Sequence, residues 1–231
     1  MPLTASAVAK MIDLSCVRTV SNKADIEAMA KAALSYGFGQ VSVLQWFIPY
    51  TRELLNGHPE IHVVGNVGFP SGSDSTSVKV AQAKEMIAAG CDELDVVMNI
   101  GALRSGDLAG VEHDVRAVIE AVRPIPVKGI IEIMVLTPEE TEQACGICLR
   151  AGASFVKTGT GWASRSTTPE DVHRIKSIVG DRIKIKASGG IRDLETLVRL
   201  YQAGATRFGV NLESGIAIVD ECLSLGTGIE V

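Results

Sequence analysis

Aromatic side chains are scarce in this chain: phenylalanine, tryptophan and tyrosine together make up 4% of it. A core with so few rings must be aliphatic and alanine-rich, which suits the branched-residue layers of a barrel better than an all-β sandwich. Long apolar runs are also missing. No stretch reaches the roughly 18 residues that mark a membrane-spanning helix, so no membrane partner is expected. Met1-Pro2-Leu3-Thr4-Ala5 shows no basic region followed by an apolar run, so no secretory signal is expected either. There is no long basic run and the net charge is −5, which argues against nucleic acid as a partner. His58, His62, His113 and His173 stand in no metal-ligand spacing with the cysteines. The five cysteines are scattered and odd in number, as free thiols in a reducing, cytoplasmic setting would be. Cys145 and Cys148 form a CxxC, but inside a helical pattern, where they read as two small apolar residues on one face. Linkers and low-complexity segments are absent, so residues 1–231 are expected to form a single domain.

What the chain does have is alternation. Short runs rich in valine and isoleucine, without strict polar alternation, fall at 11–16, 40–45, 62–68, 93–98, 127–134, 154–158, 183–187 and 207–210. Such runs mark parallel strands buried on both faces. Helical patterns lie between them, at 23–36, 49–56, 74–89, 109–122, 137–151, 168–179, 193–204 and 214–224. Eight strands alternating with eight helices predict an α/β fold, the closed (β/α)8 TIM barrel, rather than an open doubly wound sheet. Thr137-Pro138-Glu139-Glu140 reads as a capped helix start, and Thr168-Pro169-Glu170-Asp171 repeats it. Ala89-Gly90, Ala151-Gly152 and Ala203-Gly204 read as helix ends.

Chemistry in such a barrel collects where strands end. Two lysines stand there: Lys157 before Thr158-Gly159-Thr160-Gly161, and Lys186 before Ala187-Ser188-Gly189-Gly190. Burial disfavours a charged lysine, and a second cation nearby lowers its pKa further. A neutral amine made in this way is the nucleophile of Schiff-base chemistry. Asp95 lies within an apolar strand, where an unpaired carboxylate would be costly, and it can balance charge and move protons through a bound water. Lys128 and Glu132, further along the barrel, read as an interior pair. Gly189-Gly190 would let backbone approach an anion closely, and Arg192 beyond them could add charge.

With these residues in view, the chain resembles the deoxyribose-phosphate aldolase family. The resemblance runs from Ile12-Asp13-Leu14 to Ile216-Ala217-Ile218-Val219. Its most specific segments are Val67-Gly68-Phe69-Pro70-Ser71-Gly72, the run 92–103, Phe155-Val156-Lys157-Thr158-Gly159-Thr160-Gly161 and Lys186-Ala187-Ser188-Gly189-Gly190-Ile191-Arg192. It implies a class I, cofactor-free and metal-free aldolase that cleaves 2-deoxyribose 5-phosphate to glyceraldehyde 3-phosphate and acetaldehyde, an activity of carbohydrate catabolism. Lys157 would be the Schiff-base lysine, Lys186 its partner lysine and Asp95 the proton relay. Substrate and phosphate would be held by Asp13, Ser15, Thr160, Gly161, Gly189, Gly190, Arg192, Gly209 and Asn211. A homodimer or higher homo-oligomer is compatible with this fold.

The chain also departs from the family pattern. After the eighth strand, Gly209-Val210-Asn211-Leu212-Glu213-Ser214-Gly215 replaces a serine-rich phosphate loop and brings in a carboxylate that would repel a dianion. Ser42 and Leu44-Gln45-Trp46 stand where many members have a cysteine and an Asn-Pro or Tyr-Pro, and Leu14-Ser15 stands for a frequent His-Thr. Gly228-Ile229-Glu230-Val231 lacks the tyrosine that some members bring to the site. Arg165 is a possible replacement anion contact. These departures keep two alternatives open: the same aldolase chemistry on another anionic or unphosphorylated sugar, and a non-catalytic sugar-phosphate-binding barrel.

Overall fold

A computed structural model describes residues 3–226 together with Gly228 and Ile229; the Glu230 and Val231 of the chain's last run lie outside the described residues. Eight parallel strands close on themselves in sequence order. They are β1 (Ile12–Cys16), β2 (Gln40–Val43), β3 (His62–Val67), β4 (Glu93–Val97), β5 (Val127–Ile130), β6 (Phe155–Lys157), β7 (Lys184–Ser188) and β8 (Arg207–Val210). The predicted (β/α)8 TIM barrel is therefore the fold.

The described residues form ten helices, α1 (Ala5–Met11), α2 (Lys23–Tyr36), α3 (Ile48–Leu54), α4 (Thr76–Ala88), α5 (Ile100–Arg104), α6 (Leu108–Ala121), α7 (Pro138–Ala151), α8 (Pro169–Val179), α9 (Leu194–Gln202) and α10 (Leu212–Ser224). Eight match the expected ones. α1 and α5 are additions, each with a side-chain cap (Thr4 and Asn99) that allows so short a helix to form. Thr137 and Thr168 both make the full capping box, with Glu140 and Asp171. Gly90, Gly152 and Gly204 all take positive φ at the helix ends.

Two strands, β2 and β5, stop two or more residues before the expected end. β2 gives way to a 3₁₀ turn at Gln45–Phe47. β5 stops at Ile130, because Glu132 turns to φ 49 and a second 3₁₀ turn runs over Ile133–Val135.

All residues of β4 and β5 are buried, as strands sandwiched between the barrel interior and a helical ring must be. Side chains alternate across each strand. Leu94 of β4 faces α4, where Gly65 of β3 leaves room for Met86, Leu94 and Cys91. Gly129 of β5 does the same for α7: a Cβ there would stand 2.5 Å from Cys148 Sγ. Both cysteines of the CxxC are buried in the core, and burial pushes their thiols up, Cys148 to about 12. They pack as the small apolar residues the sequence suggested.

Candidate active site

The same alternation sends Asp95, Lys128, Lys157 and Lys186 into the barrel, and register sets them in two levels, one pair two residues above the other. Asp95 is paired with Lys128 across β4 and β5, and Lys157 with Lys186 across β6 and β7. The Nζ atoms of Lys157 and Lys186 both donate to Asp95 Oδ2, each at 2.8 Å. Lys128 Nζ donates to Asp95 Oδ1 at 2.9 Å and pairs with Glu93 Oε2 at 2.6 Å. Glu93 Oε1 in turn stands 3.0 Å from His62 Nδ1. Lys186 also donates to Asp13 Oδ2. The expected Lys128–Glu132 pair does not form. The two would share a strand face only if β5 ran on past Ile130, and Glu132 lies beyond that end.

Three amines and three carboxylates thus form one connected column inside the barrel. Isolated, each ion would be costly there; connected, each has partners. Burial pushes the Lys157 amine below its ordinary pKa; Asp95 works against this, and the Lys186 charge adds to it. Burial works the same way on Lys186, but Asp13 and Asp95 outweigh it and hold that ammonium above its ordinary value. Asp95 resists its own burial through Lys128, Lys157 and Lys186, which keep it well below the usual carboxylate range. Glu93 overcomes burial through Lys128, helped by His62 and Gln40, and falls to about 2. Two lysines on adjacent strands therefore titrate in opposite directions. With Lys157 neutral, the carboxylates of Asp13, Glu93 and Asp95 exceed the ammoniums of Lys128 and Lys186 by one charge. A cationic nitrogen at Lys157 would restore the balance.

Above this column a cavity of about 350 Å³ opens at the carboxyl ends of the strands. Lys157 is the one lysine of the column that lines it. It is 5% exposed, whereas Asp13, Asp95, Lys128 and Lys186 are 0% exposed. Ser15, Thr160, Gly161, Gly189, Gly190, Arg192, Gly209 and Asn211 also line the cavity. Asp13, expected among the substrate contacts, lies beneath the floor instead and holds Lys186. Thr160 gives its hydroxyl proton to Glu132 Oε2 at 2.5 Å. Asn211 caps α10, its side chain accepting from Ser214 N at 3.0 Å. Gly189 and Gly190 have φ of 103° and 78°, and a Cβ on Gly190 would run into Ser166. Arg165 lies outside the cavity lining, its guanidinium held by Asp171 and the carbonyls of Ser166 and Ile133.

Several cavity residues went unremarked in the sequence. Asn66 of β3 donates to Ser42 Oγ at 2.9 Å and to the Val43 carbonyl at 3.1 Å, and its register partner is Asp95. A polar residue inside Val63-Val64-Gly65-Asn66-Val67 carries the same signal that singled out Asp95. Arg18 donates to the Gly161 carbonyl at 2.9 Å and lies 5.3 Å from the Trp162 ring centroid. Asp25, likewise unremarked, joins the expected Glu213 in placing carboxylates in the same wall as Cys16, whose thiol burial and both acids push up.

A family model for DeoC/LacD family aldolases matches residues 7–218. The deoxyribose-phosphate aldolase of Rhizobium meliloti (strain 1021) is 41% identical over 221 residues, covering 96% of this chain and 89% of that protein. The protein of the same name from Exiguobacterium sibiricum is 42% identical over 212 residues, 92% of this chain and 95% of its own. Among solved structures, an aldolase designated QR15 superposes with a TM-score of 0.89 at 37% identity, covering 95% of this chain and 97% of that one. The deoxyribose phosphate aldolase of Aeropyrum pernix, described as a tetramer, has a TM-score of 0.87 at 26% identity, covering 96% and 93%.

Proposed function

The chain belongs to the DeoC/LacD family of aldolases, and from this premise we propose that it is a class I aldehyde-lyase acting on 2-deoxyribose 5-phosphate through a Schiff base on Lys157. One observation carries the assignment: of the buried column, the Lys157 amine alone reaches the cavity, with Asp95 and Lys186 directly below it. Residues 1–231 would act as one aldolase domain.

The geometry supports the following steps. The neutral Lys157 Nζ attacks the open-chain aldehyde carbon, and loss of water leaves an iminium. The iminium keeps a single N–H, so Asp95 regains acceptor capacity for a bound water. Through that water it takes the C3 hydroxyl proton, with the Lys186 ammonium holding the local charge. The C2–C3 bond breaks, its electron pair enters the C1–C2 bond as the enamine forms, and glyceraldehyde 3-phosphate departs. Protonation at C2 and hydrolysis release acetaldehyde and restore the amine. Gly189, Gly190 and Arg192 would face the phosphate, and Ser15, Gly161, Gly209 and Asn211 the rest of the sugar.

Borohydride reduction in the presence of acetaldehyde is expected to leave an ethyl group on Lys157, read by peptide mass spectrometry. An unmodified Lys157 in active protein overturns the assignment. A second reading, the same chemistry on another anionic or unphosphorylated sugar, is favoured by Glu213 and Asp25 in the cavity wall. Acetaldehyde release from the 5-phosphate compared with free deoxyribose separates the two. The free thiols of all five cysteines support a cytoplasmic setting, and the tetrameric relative supports a homo-oligomer, which light scattering checks.

A further inference from the structure

We infer that Glu132 is a positioning residue that sets the cavity wall formed by Thr160, Gly161 and Trp162. This deepens the Schiff-base reading above and rests on it.

Among the described residues Glu132 is the one non-glycine with positive φ, at 49°. A side chain in that conformation is held against a backbone cost, which points to a demand from its surroundings. The demand is visible. Both carboxylate oxygens go to one residue, Oε1 accepting from Thr160 N at 3.1 Å and Oε2 from the Thr160 hydroxyl at 2.5 Å. The neighbouring Ile133 N donates to the Thr158 carbonyl at 2.8 Å, closing the turn onto the same loop. Gly159 leaves space for the carboxylate, since a Cβ there would stand 2.5 Å from Glu132 Oε1.

The hold passes outward. Thr160 Oγ1 accepts from Trp162 N at 3.0 Å, Trp162 packs edge-on against Phe69 at 5.9 Å between centroids, and the Gly161 carbonyl takes Arg18. The other side of the loop is fixed separately. Thr158 Oγ1 donates to the Ser188 carbonyl at 3.0 Å, and Ser188 Oγ donates to Gly159 O. The segment that leaves Lys157 is thus tied to β7 by Thr158 and Gly159 and to the exit of β5 by Glu132. The first tie holds the strand end that carries the nucleophile; the second holds the wall that meets the substrate beyond its aldehyde carbon. Glu132 itself does not line the cavity.

This division can be tested with two aldehydes of different length. Acetaldehyde needs little beyond Lys157, whereas 2-deoxyribose 5-phosphate must also meet the wall. Glu132→Gln leaves at most one of the two acceptors in place, and Thr160→Val removes the hydroxyl. Each is expected to raise KM for the deoxyribose phosphate about three- to tenfold, the scale of one lost hydrogen bond. In Glu132→Gln, whose side chain lies outside the cavity, the rate of borohydride-trapped adduct formation with acetaldehyde should stay within about twofold of the parent, less than one such bond would cost. Glu132→Gly removes the backbone cost and should still raise KM. Thr160→Ser, which keeps the hydroxyl, should recover most of what Thr160→Val loses. An unchanged KM in Glu132→Gln and Thr160→Val overturns the inference, and so does a loss of adduct formation in step with turnover. A parent protein that forms no adduct on Lys157 overturns instead the Schiff-base reading on which it stands.

Discussion

One oxygen atom, Asp95 Oδ2, serves two lysines, and their unequal surroundings lower the pKa of the Lys157 amine and raise that of Lys186. Lys157→Leu should abolish acetaldehyde release and the borohydride adduct while circular dichroism shows an intact barrel. The pH dependence should follow the neutral amine. Because the Lys157 pKa is lowered, kcat/KM rises with pH as the ammonium loses its proton. Removing the neighbouring charge in Lys186→Met leaves Asp95 to favour the Lys157 ammonium more strongly. The acid limb should then move to higher pH and the maximal rate should drop; a limb that stays in place argues against this coupling. Asp95, Lys157 and Lys186 were legible in the sequence because a charge inside an apolar strand must be explained. The partner of Lys128 was not: its ion pairs run to Glu93 and Asp95 on β4, and such cross-strand contacts leave no local trace.

Elements were legible to the extent that punctuation is local. The threonine caps and Ala-Gly stops mark helix ends through hydrogen bonds made within a few residues. β5 was read too long because Ile130, Ile131 and Ile133 continue the apolar pattern; the turn at Glu132 that ends it is held by Thr160 in the loop after β6, a contact with no local trace. α1 and α5 are too short to show a helical period. Packing between elements is where single atoms count. Gly129→Ala puts a methyl group against Cys148 Sγ between β5 and α7. Overpacking of this kind should cost about 1–3 kcal/mol in urea denaturation. A Cys148→Ala change made together with it should recover part of that loss, because the two sites share one space.

At the scale of the molecule, the column of charges links the barrel floor to Lys157 and ties global stability to acid. Glu93 ionises at about 2 in the folded chain against an ordinary 4.5. Its contribution is therefore fully present above pH 4.5 and is lost as the pH falls through about 2. A difference of that size corresponds to about 3 kcal/mol. At neutral pH Glu93→Gln should be less stable than its parent by about this amount, and the gap should shrink steadily below pH 4.5. Denaturant midpoints measured across that range decide the matter; a constant gap would mean that Glu93 acts through packing alone.

The ionic column sits wholly on the strands, while Arg18, Trp162, Arg192, Asn211 and Glu213 belong to the segments beyond their ends. On the proposed Schiff-base reading, reactivity and selectivity are encoded in separable stretches of chain. Randomising the rim segments should yield a family of carbon–carbon lyases with diverse appetites for the far end of the aldehyde, all inheriting one unaltered nucleophile.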